Sequence, residues 1–181
     1  MKKISKTNAF ILKEISPVNF PVLDNMLQLY THELNEYFNY SIKMDVNARY
    51  HIKSAGKLLS NGRGYFVFVG CEYAGFILLN NHTKGQNGVF ISEFFILPRY
   101  RRGFFYRDVL ASLFTQLNGR VEYRILSKNQ RALLVFKYLT RRYLSTFQSA
   151  EEYENGAEYV RFALDTANIT FNISKYKTHI I

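Results

Sequence analysis

Residues 90–118, FISEFFILPRYRRGFFYRDVLASLFTQLN, decide the fold. Val89–Leu97 is almost wholly apolar, which predicts a central strand covered on both faces, with Glu93 as the one interruption. Pro98 to Phe104 reads as a basic turn, and Phe105–Leu117 as an amphipathic helix. A strand, a turn and a helix in that order make a place for a phosphate-bearing ligand. The helix N-terminus offers unpaired N–H groups and the positive end of the helix dipole.

Upstream, residues 8–15 (NAFILKEI) predict a first strand. A helix follows, in which Val22, Leu23, Met26, Leu27, Tyr30, Leu34, Tyr37 and Phe38 recur on one broad apolar face. Residues 46–60 predict a weaker second helix, with Asp45 as its N-cap and Asn61–Gly64 as its stop. Tyr65–Gly70 and Ala74–Asn80 pattern as a hairpin turning at Cys71–Tyr73, and Asn81–Gly88 as an exposed loop. Downstream come a strand at Val121–Leu126, a helix at Asn129–Arg142 and a strand at Tyr143–Ser149. An acidic turn, Glu151–Gly156, then leads to a last strand at Glu158–Leu164. This order predicts an α/β (α+β) fold, a mixed, mostly antiparallel sheet of about seven strands flanked by about four helices. One parallel pair is joined by the Phe105–Leu117 helix. Residues 1–164 read as a single domain, and an edge strand, an arm in a homodimer or a disordered end all fit residues 165–181.

The chain has 181 residues, 48% of them apolar, enough for one domain with a proper core. A single cysteine, Cys71, excludes a disulfide framework and a cysteine-based zinc site. No run of about 18 apolar residues marks a membrane span and no signal-peptide pattern is seen, so a cytoplasmic protein is expected. His32, His51, His82 and His179 have no metal-ligand spacing, so no metal is expected, and no nucleotide P-loop occurs. Of the net charge of +10, Arg99–Arg142 carries +9, from eleven Lys/Arg against Asp108 and Glu122. Such a segment suits a polyanion, either a nucleic acid or a small molecule with several phosphates, or else a solvated helix face.

The quoted stretch and its surroundings resemble the GNAT superfamily of N-acetyltransferases over residues 8–164. Family members show an apolar strand, Pro, one residue, an aromatic, then Arg/Gln-x-x-Gly-x-Gly/Ala and a helix. Pro98, Tyr100, Arg101 and Leu110 match this without a gap, and Asn129 with Ala132 matches the Asn-x-x-Ala opening of the family's next helix. The resemblance implies an acyl-CoA N-acyltransferase fold and acetyl-CoA as co-substrate. It places the pantetheine on the backbone of Phe95, Ile96 and Leu97. The pyrophosphate would lie on the turn Arg101, Arg102, Gly103, Phe104, Phe105 and Tyr106, with Asn129 nearby. Phe104 and Tyr106 stand where the family prefers small residues, which let the backbone approach the phosphates.

Acetyl transfer to an amine needs a base for the amine and a proton for the departing thiolate. Glu93 is the candidate base, since a carboxylate in an apolar strand has its pKa raised by desolvation, and a Glu on this strand has that role in many relatives. A solvent-facing Glu93, or one paired with an arginine, is the bland alternative. For the acid, one count along the last helix selects Tyr138 and another selects Phe136, which has no proton to give. The two lie about 200° apart, so one of them faces the cleft. Tyr30, Glu33 and Tyr37 share a helical stripe that fits either an acceptor pocket or core packing. Three readings follow. The first is an acetyl-CoA-dependent N-acetyltransferase with a small-molecule or peptide amine acceptor. The second is a basic nucleic-acid-binding protein, and the third a GNAT-like binding protein without catalysis.

Overall fold

The computed structural model describes residues 10–38, 40–81, 88–102, 105–117, 119–143, 147–154 and 157–166. Seven strands form one sheet: β1 (Ile11–Glu14), β2 (Gly62–Val69), β3 (Glu72–Asn80), β4 (Gly88–Ile96), β5 (Arg120–Leu126), β6 (Phe147–Glu154) and β7 (Ala157–Asp165). Their order across the sheet is β1-β2-β3-β4-β5-β7-β6. Every neighbouring pair is antiparallel except β4 with β5. The helices are α1 (Phe20–Leu34), α2 (Ala55–Leu58), α3 (Phe105–Gln116) and α4 (Gln130–Tyr143). As expected, α3 is the crossover of the one parallel pair. Among the described residues, no helix is long and apolar enough to cross a membrane.

The two faces of the sheet are covered by different helices, because each helix has one apolar stripe to bury. On one face Leu23, Met26 and Leu27 of α1 and Ala55 of α2 pack against Phe66, Phe76, Leu78 and Phe95. On the other, Val109, Leu110, Leu113 and Phe114 of α3 and Leu133 and Phe136 of α4 pack against Ile77, Ile91, Tyr123 and Phe162. Gly75 of β3 sits so close to β4 that a Cβ there would lie 2.2 Å from the Phe95 carbonyl oxygen.

Across β5, β7 and β6, alternating polar residues build an ion cluster. Glu122 is fully buried; Arg120 Nε donates to it at 2.7 Å, and Arg161 binds its other oxygen. Burial alone would raise the Glu122 pKa, but the bonds from Arg161 and Arg120 outweigh it and hold the carboxyl below its usual value.

Two expectations are corrected. Residues 46–60 are not a helix. Asp45 Oδ1 does accept the N–H groups of Asn47 (2.8 Å) and Arg49 (2.9 Å), but Ala48 adopts φ 56° and reverses the chain into a tight turn. Met44 and Tyr50 bridge across it, and Gln28 of α1 holds Tyr50 by both backbone groups, so only Ala55–Leu58 is helical. The acidic segment 151–154 is not a turn but the second half of β6. Its charges are matched across the sheet: Glu152 pairs with Arg161 and Glu154 with Arg124. After β7 the chain is tied down through Thr166, whose hydroxyl donates to the Leu117 carbonyl and whose N–H donates to the Gly119 carbonyl. Residues 167–181 of the expected extension lie outside the described residues.

Candidate functional site

The site begins with a one-residue irregularity in β4. Leu78 pairs with Glu93 and Leu79 with Ile91, so Ser92 is an extra residue, a β-bulge, and its hydroxyl donates to the Leu78 carbonyl. A bulge bends its strand. The parallel pairing of β4 with β5 runs only from Gly88↔Arg120 to Ile91↔Tyr123 and stops there, while β4 stays paired with β3 to Ile96. The two strands splay apart, and a cavity of about 410 Å³ opens between them.

Strand alternation settles which backbone groups of β4 face the opening. Leu97 N–H donates to the Ala74 carbonyl on the β3 side, so Leu97, Phe95 and Glu93 turn their backbone groups to β3. Those of Phe94 and Ile96 turn the other way, to the edge that faces β5, and of the two Phe94 lines the cavity. Of the three residues expected to pair with a ligand, Phe95 and Leu97 turn their backbone groups to β3, and the Ile96 carbonyl on the other edge is taken by Arg101.

Glu93 reaches the cavity wall on the α1 side, where the Tyr30 hydroxyl donates to it. Burial pushes the Glu93 carboxyl up to about 7, against the pull of the Tyr30 bond and of the Arg124 and Lys53 charges. The same burial, with the Glu93 charge beside it, raises Tyr30 well above its usual value. Tyr30 is held by its ring contacts with Phe95 (5.5 Å) and Phe76 (5.8 Å). Tyr30, Glu33 and Tyr37 all line the cavity, the pocket reading of that stripe.

The basic turn is engaged in a way the sequence did not suggest. Arg101 ion-pairs with both oxygens of Glu33 (2.7 and 3.0 Å), donates Nε to the Ile96 carbonyl and stacks on Phe95 at 5.3 Å. It ties α1 to the end of β4 instead of standing free for a phosphate. Arg102 is exposed, and Gly103 and Phe104 lie outside the described residues. The Phe105 side chain is core, against Phe10 (5.7 Å) and Tyr100 (6.2 Å), so only its backbone is available to a ligand. Tyr106 lines the cavity with its ring 4.4 Å from that of Phe94, and burial pushes its hydroxyl up to about 12.

On α4, Asn129 is the N-cap: its side-chain oxygen accepts the Ala132 N–H at 3.0 Å, and it borders the cavity with Arg131. Phe136 is the inward residue, 4.4 Å from Tyr123, and Tyr138 is 45% exposed and away from the cavity. The expectation of Tyr138 as proton donor is therefore corrected, because the helix turns Phe136 inward in its place. Arg124 and Tyr159 are among the cavity residues that sequence reasoning did not place in the site. Arg124 lies 4.7 Å from the Tyr159 ring and pairs with Glu154, and both Arg124 and Tyr159 border the opening. The alternation of Arg120, Glu122 and Arg124 with Val121, Tyr123 and Ile125 carried that signal.

Five of the eleven basic residues of the stretch have carboxylate partners within the protein. Arg99 pairs with Glu72, Arg101 with Glu33, Arg107 with Asp108, Arg120 with Glu122 and Arg124 with Glu154. Among the described residues, no group of three His, Cys, Asp or Glu side chains could hold a metal.

No family model matches the sequence, and neither does any curated protein. Solved structures do resemble the fold. An acetyltransferase from Thermus thermophilus superposes with a TM-score of 0.62 at 11% identity, covering 87% of this chain and 97% of its own. A GNAT-family acetyltransferase from Bacillus cereus gives 0.56 at 11%, covering 86% and 96%. A spermidine N-acetyltransferase from Vibrio cholerae, in complex with CoA and spermine, gives 0.59 at 11%, covering 87% and 96%. The fold of this chain is that of the GNAT acetyltransferases.

Proposed function

We propose that this protein is an acetyl-CoA-dependent N-acetyltransferase, acting on a primary amine by direct attack in a ternary complex. The observation that carries the reading is the splay of β4 from β5 beside Glu93. A cleft with unpaired strand edge on one wall and a carboxyl group titrating near neutrality on another is suited to holding an extended ligand next to a base.

The residues fit acetyl-CoA. The backbone N–H groups of Phe94 and Ile96 lie on the edge of β4 that β5 leaves unpaired, as an added strand requires. The first turn of α3, with Tyr106, Asn129 and Arg131 around it, offers N–H groups and a cation to a pyrophosphate. Bound acetyl-CoA supplies the activated acetyl thioester. Glu93 accepts the proton of the attacking amine, directly or through water, and Tyr30 keeps the carboxyl aimed along the wall. The aromatic lining of Phe94, Phe95 and Tyr106 lowers the polarity around the strand, which strengthens its polarising N–H groups.

A thermal-shift titration with acetyl-CoA, followed by thiol release in the presence of amines, tests this. At about 100 times its dissociation constant a specific ligand adds about 2.7 kcal/mol of stability. An unchanged melting temperature at millimolar acetyl-CoA sinks the proposal. Stabilisation without transfer to any amine would favour the binding protein without catalysis. With five arginines of the basic stretch paired to carboxylates, less of its charge is left for the nucleic-acid reading.

A further inference from the structure

The charges around the cavity select among acceptors. Among the described residues, Glu33 and Glu93 are the carboxylates on its wall. Both oxygens of Glu33 are taken by Arg101, and Glu93 accepts the Tyr30 hydroxyl. A polyamine, with a second ammonium to place, finds no open carboxylate there. Positive charge, by contrast, stands on the same wall as the base, since Arg124 of β5 borders the cavity with Glu93. Arg124 is held flat against Tyr159 at the cavity wall. Its pairing with Glu154 is solvent-exposed (34% and 50%), and such pairs contribute little. A guanidinium has five N–H donors, so a ligand carboxylate can join or displace Glu154 at small cost. Leu34, Tyr37 and Phe38 give the cavity an apolar side.

We propose that the acceptor is a free α-amino acid with an apolar or aromatic side chain, its carboxylate held by Arg124, its amine facing Glu93 and its side chain against Leu34, Tyr37 and Phe38. This rests on the acetyltransferase reading. In the reaction the amine nitrogen bonds the acetyl carbonyl carbon and the carbon–sulfur bond breaks, its electron pair leaving with sulfur. The α-ammonium gives up two protons, one ending on the departing thiol and one passing to solvent through Glu93.

The test is a thiol-release assay with acetyl-CoA and four amines: L-phenylalanine, L-phenylalaninamide, phenethylamine and spermidine. In parallel, calorimetry measures binding of the first two to the protein alone. One charge-assisted contact, partly screened, should favour phenylalanine over its amide by about tenfold in kcat/KM and in affinity. Arg124→Met should bring that ratio near one, mainly through KM, and Arg124→Lys should restore part of it. Equal or better use of the amide, phenethylamine or spermidine overturns the proposal, as does a ratio unchanged in Arg124→Met of parental melting temperature. If acetyl-CoA fails to bind, the acetyltransferase reading falls, and Arg124-dependent binding of phenylalanine alone still supports an amino-acid site. No phenylalanine binding and no transfer to it sinks the inference.

Discussion

Replacing Glu93 by glutamine keeps the side chain's shape and removes its ability to ionise, so the variant isolates one titration. In the folded protein this carboxyl titrates near 7 instead of its ordinary 4.5. Between those values the folded chain keeps a proton that the unfolded chain has released, so stability falls as pH rises through the window and levels off above it. The gap from 4.5 to about 7, at about 1.4 kcal/mol per pH unit, amounts to about 3 kcal/mol when complete. About 2–3 kcal/mol of this separates pH 5 from pH 8, as a ceiling, because the carboxyl borders an open cavity. Urea unfolding of parent and Glu93→Gln at pH 5, 6, 7 and 8 measures it, since every other group cancels in the difference. The variant should gain on the parent steadily with pH while losing acetyl transfer. Stability curves that stay parallel from pH 5 to 8 would show that burial does not raise Glu93, and the argument for it as a base poised near neutrality would go with them.

Glu122→Ala should cost about 3–5 kcal/mol in denaturant unfolding, because it leaves Arg120 and Arg161 without their shared buried partner. The parent's Glu122 contribution should itself fade as pH drops below the ordinary carboxylate range, the sign opposite to that of Glu93. Gly75→Ala puts a methyl group 2.2 Å from the Phe95 oxygen and 3.0 Å from the Ile96 Cα. It should cost about 3 kcal/mol by overpacking and, by displacing the cavity-facing strand, abolish the acetyl-CoA melting shift. A double-mutant cycle on Arg101→Met and Glu33→Gln should give a coupling of about 1 kcal/mol, since Glu33 is 35% exposed; additive effects would dismiss the tie between α1 and β4.

What the sequence made legible was local. The apolar strand, basic turn and helix at 89–117 stood out because strand and helix each have a period of their own, and Glu93 stood out as the one charge in that strand. What it hid was contact between distant positions. Nothing local says that Gln28 will hold Tyr50 and stop a helix, or that Arg161 and Arg124 will make a strand of an acidic segment that reads as a turn. Arg101 read as a phosphate ligand because its partner Glu33 lies 68 positions away. The choice between Phe136 and Tyr138 depended on helix phase, which is fixed by the packing of Leu133 and Phe136 onto Tyr123.

The extra residue Ser92 has a consequence for what encodes the cleft. Without it, Ile91 and Glu93 would be consecutive in a regular ladder and still face opposite sides of the sheet, as they do now. Every named side chain would keep its direction, but β4 would have no reason to bend away from β5, and the two could zip together past Ile91 and close the cavity. The chemistry of the site is written in residue types; the room for it is written in a count of residues. A deletion that changes no functional group could then silence the protein more completely than the loss of any one of them.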